Sequence, residues 1–209
     1  EKVRYEFPRR NNLPRVAMPA VTVNWYDGGF MPPRPDELKD GEQMGDNSGG
    51  CIFYGTRGKI MCGTYASKPT LLPTAEMKHF EQPKMSIRRI PNAMKGGHEQ
   101  DWIRACKESK GSRVETSSNF SYAAPLNESV LLGVLAVRLQ NLQSKLKWDG
   151  ANMHFKNIGS TDVIRILKKN KFALINGSPT FDKEYKTLPA LEMAEEWIRP
   201  TYRNGWEQI

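Results

Sequence analysis

The sequence predicts an α+β domain: a largely antiparallel open sheet with helices packed on one face. Three observations carry this. Segments that alternate with the period of a half-buried strand crowd the first third of the chain. Helical patterns come mainly later, without the regular βαβ alternation of a parallel sheet. No G-x-G-x-x-G follows a strand and opens a helix, so the doubly wound nucleotide-binding class is not indicated.

The chain begins with an alternating stretch, residues 2–7, and the polar turn Arg9-Arg10-Asn11-Asn12 leads to a second strand over 15–26. Pro14 and Pro19 restrict its early pairing to an edge or a bulge. In Val21–Pro35 the strand ends in Trp25-Tyr26-Asp27, and Gly28-Gly29 supply the positive φ of a turn. Pro32, Pro33 and Pro35 then make a stiff polyproline-like arm. Residues 36–50 read as a loop, and 50–55 and 59–65 as a hairpin around Thr56-Arg57-Gly58. The proline-punctuated stretch 66–96 reads as a long irregular excursion of the kind that faces a ligand or partner.

The first helix is expected over 97–107, with Trp102, Ile103, Ala105 and Cys106 as its apolar stripe and acidic residues in its first turn. A second, opened by Pro125 and running from Leu126 to Leu142, is apolar on more than one face and is expected to be largely buried. Residues 145–149 and 153–156 form a second hairpin. A short helix over 161–169, a turn at Asn176-Gly177 and a last helix over 190–198 complete the reading. Tyr202-Arg203-Asn204-Gly205-Trp206 follows.

Composition narrows the function classes. At 209 residues and 38% hydrophobic content the chain has length enough for a core without staples. No window is expected to approach the roughly 20 apolar residues of a membrane span. The net charge of +8 comes from lysines and arginines scattered singly, with Arg9-Arg10, Arg88-Arg89 and Lys168-Lys169 the adjacent pairs. No aromatic-interleaved basic platform forms, so nucleic acid is not an expected partner. Cys51, Cys62 and Cys106 are odd in number and lack metal-ligand spacing, and Cys51, in an apolar strand, reads as a small buried hydrophobe. Glu1 stands in mid-strand with no methionine or signal segment, the pattern of a fragment or processed piece.

In order along the chain stand V-N-W-Y-D-G-G with P-P-R-P, G-C-I-F-Y-G-T-R-G-K-I-M-C-G, G-H-E-Q-D-W-I-R-A-C-K, S-S-N-F-S-Y-A-A-P-L-N-E-S-V-L-L-G, K-L-K-W-D and Y-R-N-G-W. Together they resemble the bacterial-type C-terminal domain of the Gfo/Idh/MocA oxidoreductases, over essentially all of residues 1–209. The resemblance implies the substrate-binding and oligomerisation domain of an NAD- or NADP-dependent enzyme acting on a sugar or sugar derivative. The nucleotide would be held by an N-terminal Rossmann domain that is not in this sequence. The family's Glu-Lys-Pro motif and its Asp-x-x-x-His constellation have no match here, so no catalytic residue is carried over. Bacterial cytoplasm and periplasm both stay open.

Four residues are candidate sugar contacts, expected on one rim near the chain start. Trp25 offers a stacking face or a core aromatic. Asp27 and Arg34 offer a carboxylate and a guanidinium for hydroxyls or an acidic group, or local turn bonds. His98, between Gly97 and an acidic helix start, offers a proton shuttle or a structural hydrogen bond. A free-standing carbohydrate-binding or scaffold module is the alternative to the oxidoreductase reading.

Overall fold

The computed structural model describes residues 1–11, 18–204 and 206. The class is α+β: three α-helices stand with several antiparallel ladders. The strands do not join into one open sheet. They form four separate sheets, β1-β2, β3-β4-β5, β6-β7 and β8-β9, among the described residues. Long segments rich in Pro and Gly, 27–49 and 73–96, interrupt the hydrogen-bonding sequence between them.

The chain divides into two compact units. The first holds residues 1–25 and 118–209. In it β1 (Lys2–Phe7) pairs with β2 (Val21–Tyr26), whose last residue, Tyr26, belongs to the second unit. Residues 15–17 of the expected 15–26 strand lie outside the described residues, as does Gly205. The core of this unit gathers Leu139, Phe155, Ile158, Ile164, Ala190 and Ala194. Leu139 caps the end of α2 (Phe120–Arg138), Phe155 lies in β7 (His154–Phe155, paired with β6, Trp148–Asp149) with Ile158 just after it, Ile164 lies in β8 (Val163–Ile175), and Ala190 and Ala194 lie in α3 (Ala190–Ile198).

Two expectations fail in this unit. The expected 161–169 helix does not form, and from Val163 on the segment is strand: β8 and β9 (Ser178–Pro189) make a long two-stranded ribbon that turns at Asn176-Gly177. Val163, Ile164 and Ile166 are β-branched and favour strand, and Ile164, 0% exposed, sits opposite Leu188 in the ladder. The turn itself is as expected, with φ of 51° at Asn176 and 78° at Gly177.

The second failure is the burial of α2. The helix starts earlier than expected, where the Asn119 side chain accepts the Tyr122 amide. Pro125 lies inside it, and Leu126, Val130, Leu131 and Val134 are exposed. Gly133 is buried because Tyr5 of β1 packs over it. This is a described helix long and apolar enough to cross a membrane, with mean hydropathy 1.3 over an 18-residue window of which 6% is buried. Length and composition alone do not place it in one.

The second unit, residues 26–117, is built on β3 (Gly50–Tyr54), β4 (Lys59–Gly63) and β5 (Thr70–Leu72). Leu38, Met61 and Leu72 form its small core. Gly63 is closely covered by Asp46, whose carboxylate accepts the Thr64 amide at 2.7 Å, the Thr64 hydroxyl at 2.9 Å and the Ser48 amide at 2.9 Å. These bonds hold the Asp46 carboxyl below its ordinary range, the Ser48 amide contributing most. Cys62 is buried as expected of an apolar strand cysteine, but Cys51, expected to be buried, is exposed.

Candidate functional site

The candidate residues are divided between the two units. Trp25, the next-to-last residue of β2, lies in the first unit, while Asp27, Arg34 and His98 belong to the second. Trp25 is 56% exposed, so it is not a sealed core aromatic. Its neighbour Asp27 turns one carboxylate oxygen back onto the Gly28 amide, 2.6 Å away. Gly28 and Gly29 take φ of 64° and 88°, the reason the turn needs glycines there.

Arg34 braces the loop that follows its own arm. Its Nη2 donates to the Lys39 carbonyl at 2.7 Å and to the Glu42 carbonyl at 2.8 Å. Glu42 in turn accepts the Lys39 amide at 2.8 Å and the Thr74 hydroxyl at 2.5 Å. Both bonds lower its carboxyl below the usual range, Thr74 more than Lys39. The arm is pinned by Leu38 in the small core and by the Glu37–Lys59 ion pair at 2.7 Å. Arg34 and His98 are thus bonded to neighbours of their own, not to each other.

His98 is the second residue of α1 (Gly97–Lys107). The chain approaches the helix through Asn92 and Gly96, both left-handed, and the Gly97 amide donates to the Asn92 carbonyl at 3.0 Å. A Cβ on Gly97 would collide with the Pro91 carbonyl and the Asn92 backbone, so the start of the helix is packed directly on main chain. The His98 ring is exposed, and its Nδ1 lies 3.3 Å from the Ser117 hydroxyl. Nδ1 is thereby oriented, and Nε2 is the nitrogen left to meet a ligand.

Sequence reasoning missed the group that shares Ser117 with this ring. Asp101, expected as a first-turn acid facing the helix dipole, is 6% exposed and is an ion-pair centre. One of its oxygens accepts Arg88 Nη2 at 2.8 Å and Arg104 Nη2 at 3.1 Å; the other accepts the Ser117 amide at 3.2 Å. Burial pushes its carboxyl up, but the Ser117 amide and the two guanidinium groups outweigh that and hold it below the ordinary range. Ser117 therefore serves both residues, its amide on Asp101 and its hydroxyl on His98. No sequence spacing marks Ser117. The expected apolar stripe of α1 is also broken, because Trp102, at 65%, and Cys106 are exposed.

His98, Ser117 and Asp101 do not form a nucleophile triad. Asp101 bonds the serine's backbone, not the imidazole, so it does not polarise the ring. What the arrangement can do is present an oriented imidazole to a hydroxyl or carbonyl, to donate or accept a hydrogen bond or a proton.

No described group of three or more His, Cys, Asp and Glu side chains is placed to hold a metal. A nicotinamide nucleotide does not fit the described helix starts. α1 opens on Gly96-Gly97 packed against backbone, α2 on Asn119 and α3 on Pro189, and none is a glycine turn following a strand. A cleft of about 440 Å³ in the first unit is lined by Asn152, Met153, His154, Glu192, Glu195 and Arg199, among others, and none of the four candidates takes part in it. The chain matches no protein-family model and no curated protein.

Proposed function

We propose that this chain is the substrate-side and assembly domain of an NAD(P)-dependent oxidoreductase of the Gfo/Idh/MocA type, acting on a sugar or sugar derivative. The observation that carries this reading is His98: an exposed imidazole at a helix start, oriented by Ser117, whose amide also holds a buried ion-pair centre. It stands in the G-H-E-Q-D-W-I-R-A-C-K motif, one of six ordered motifs behind the resemblance. In this reading hydride passes between the sugar and a nicotinamide held by a separate Rossmann domain. His98 holds or moves the hydroxyl proton. The exposed apolar residues of α2 and of the β8–β9 ribbon are assigned to that domain and to further copies of the chain in a homo-oligomer.

The exposure of Trp25 and Trp102 also suits a carbohydrate-binding or scaffold module that performs no chemistry, since aromatic faces stack on sugars. Titration calorimetry separates the two readings. This chain alone should give no saturable heat with NADH or NADPH, while the product of the whole reading frame should bind one of them saturably. Low-micromolar binding of either nucleotide by this chain alone contradicts the division of labour. Sugar binding by a whole-frame product that binds no nucleotide favours the module.

A further inference from the structure

Cys51 and Cys62 stand directly opposite each other in the β3–β4 ladder. Opposed residues of an antiparallel pair point to the same face of the sheet, with Cα atoms about 4.5–5.5 Å apart. A disulfide spans Cα separations of about 4.4–6.8 Å, so the backbone already holds the two at bonding range. The Cys62 sulfur lies 3.7 Å from the Cys51 carbonyl, on its partner's strand. Partial cover of its sulfur, and then the neighbouring Cys62, raise the Cys51 thiol above its ordinary range. The raised value makes exchange at Cys51 slower than at an unhindered thiol.

We propose that Cys51 and Cys62 form a redox modification site, a dithiol that a small-molecule disulfide converts into an intramolecular cross-strand bond. Cys51 is the exposed member and reacts first. Its thiolate attacks one sulfur of the reagent, making a mixed disulfide and releasing one thiolate. The buried Cys62 sulfur then attacks the Cys51 sulfur and releases the second thiolate. The two cysteine protons end on the two released thiols, and two electrons pass from the protein to the reagent. Closing the bond draws the Cβ atoms together by about 1 Å. The hairpin can accommodate this because β3 is an edge strand that begins at Gly50 and is followed by Gly55.

The test incubates the folded chain with oxidised glutathione and reads its thiols by alkylation and mass spectrometry. Three free cysteines are present. Cys51 and Cys62 should be lost together as one intramolecular bond. Trypsin cuts after Arg57 and Lys59, so that bond is seen as two linked peptides. Cys106→Ser should leave the linked product unchanged, and Cys62→Ser should stop at the glutathione adduct on Cys51. The same reaction in denaturant, where Cys106 competes for both partners, controls for scrambling. A folded protein giving only separate glutathione adducts on Cys51 and Cys106 overturns the proposal. So does one in which Cys106 is fully modified while Cys51 and Cys62 both remain free thiols.

Discussion

Asp149 joins the two strands of a very short hairpin through its side chain. Lys156 reaches its carboxylate at 3.1 Å, and the Asn152 side chain and backbone amides reach it at 3.2 and 3.3 Å. These contacts, Lys156 foremost, hold the carboxyl at about 2, against an ordinary value of 3.8. A folded value below the unfolded one means that the carboxylate stabilises the fold above about 3.8, and that this is lost as pH falls toward about 2. Asp149→Asn should therefore lower the urea midpoint at neutral pH, and the gap to the parent chain should close over that acid range. A gap that stays constant with pH would place the effect in packing. Asp149 was visible in the sequence as part of K-L-K-W-D. The Asp101 centre was not, because its partners Arg88, Arg104 and Ser117 converge only when three separate stretches pack together. Arg34 was visible as a cation on a stiff arm, but its use as a loop brace depends on carbonyls five and eight residues further on.

At the level of elements, the start of α1 decides where His98 points. Gly97 has no room for a methyl group, since the Asn92 backbone carbon and oxygen both lie 2.7 Å from where its Cβ would stand, and main chain yields little. Gly97→Ala should destabilise the chain by about 1–3 kcal/mol, the usual range for overpacking a closed site. Gly111→Ala, with nothing within 4 Å, should stay within about 0.5 kcal/mol. Denaturant unfolding of the two variants side by side measures this, and equal midpoints would show that the 91–97 turn gives way. Local rules made the hairpins and the last helix legible: glycine turns, an Asn-Gly pair and alternating strands each carry a local physical cause. They failed where two periods compete. Val163–Lys169 has apolar residues at both helical and strand spacings, and long-range pairing with Tyr185–Pro189 decides for the strand. Apolarity also misled for α2, since a sequence shows that a face is apolar but not what covers it.

For the whole molecule, the central claim is that this chain presents a sugar to a nicotinamide held elsewhere, with His98 at the reacting hydroxyl. The apolar surface left open on α2 and on the β8–β9 ribbon accords with a chain that works against another domain and against its own copies. Steady-state nicotinamide reduction by the whole reading-frame product, across a panel of aldoses and polyols, tests this most directly, with His98→Ala and Ser117→Ala measured alongside. We predict a sugar-dependent rate. It should fall by about 10²-fold or more in His98→Ala, in line with the loss of a general acid–base. Ser117→Ala, which frees the ring but keeps it, should cost less, and nucleotide affinity should be unchanged in both. No sugar-dependent rate from a folded protein that binds nucleotide, or a His98→Ala enzyme with the parent's kcat and KM, would contradict the account.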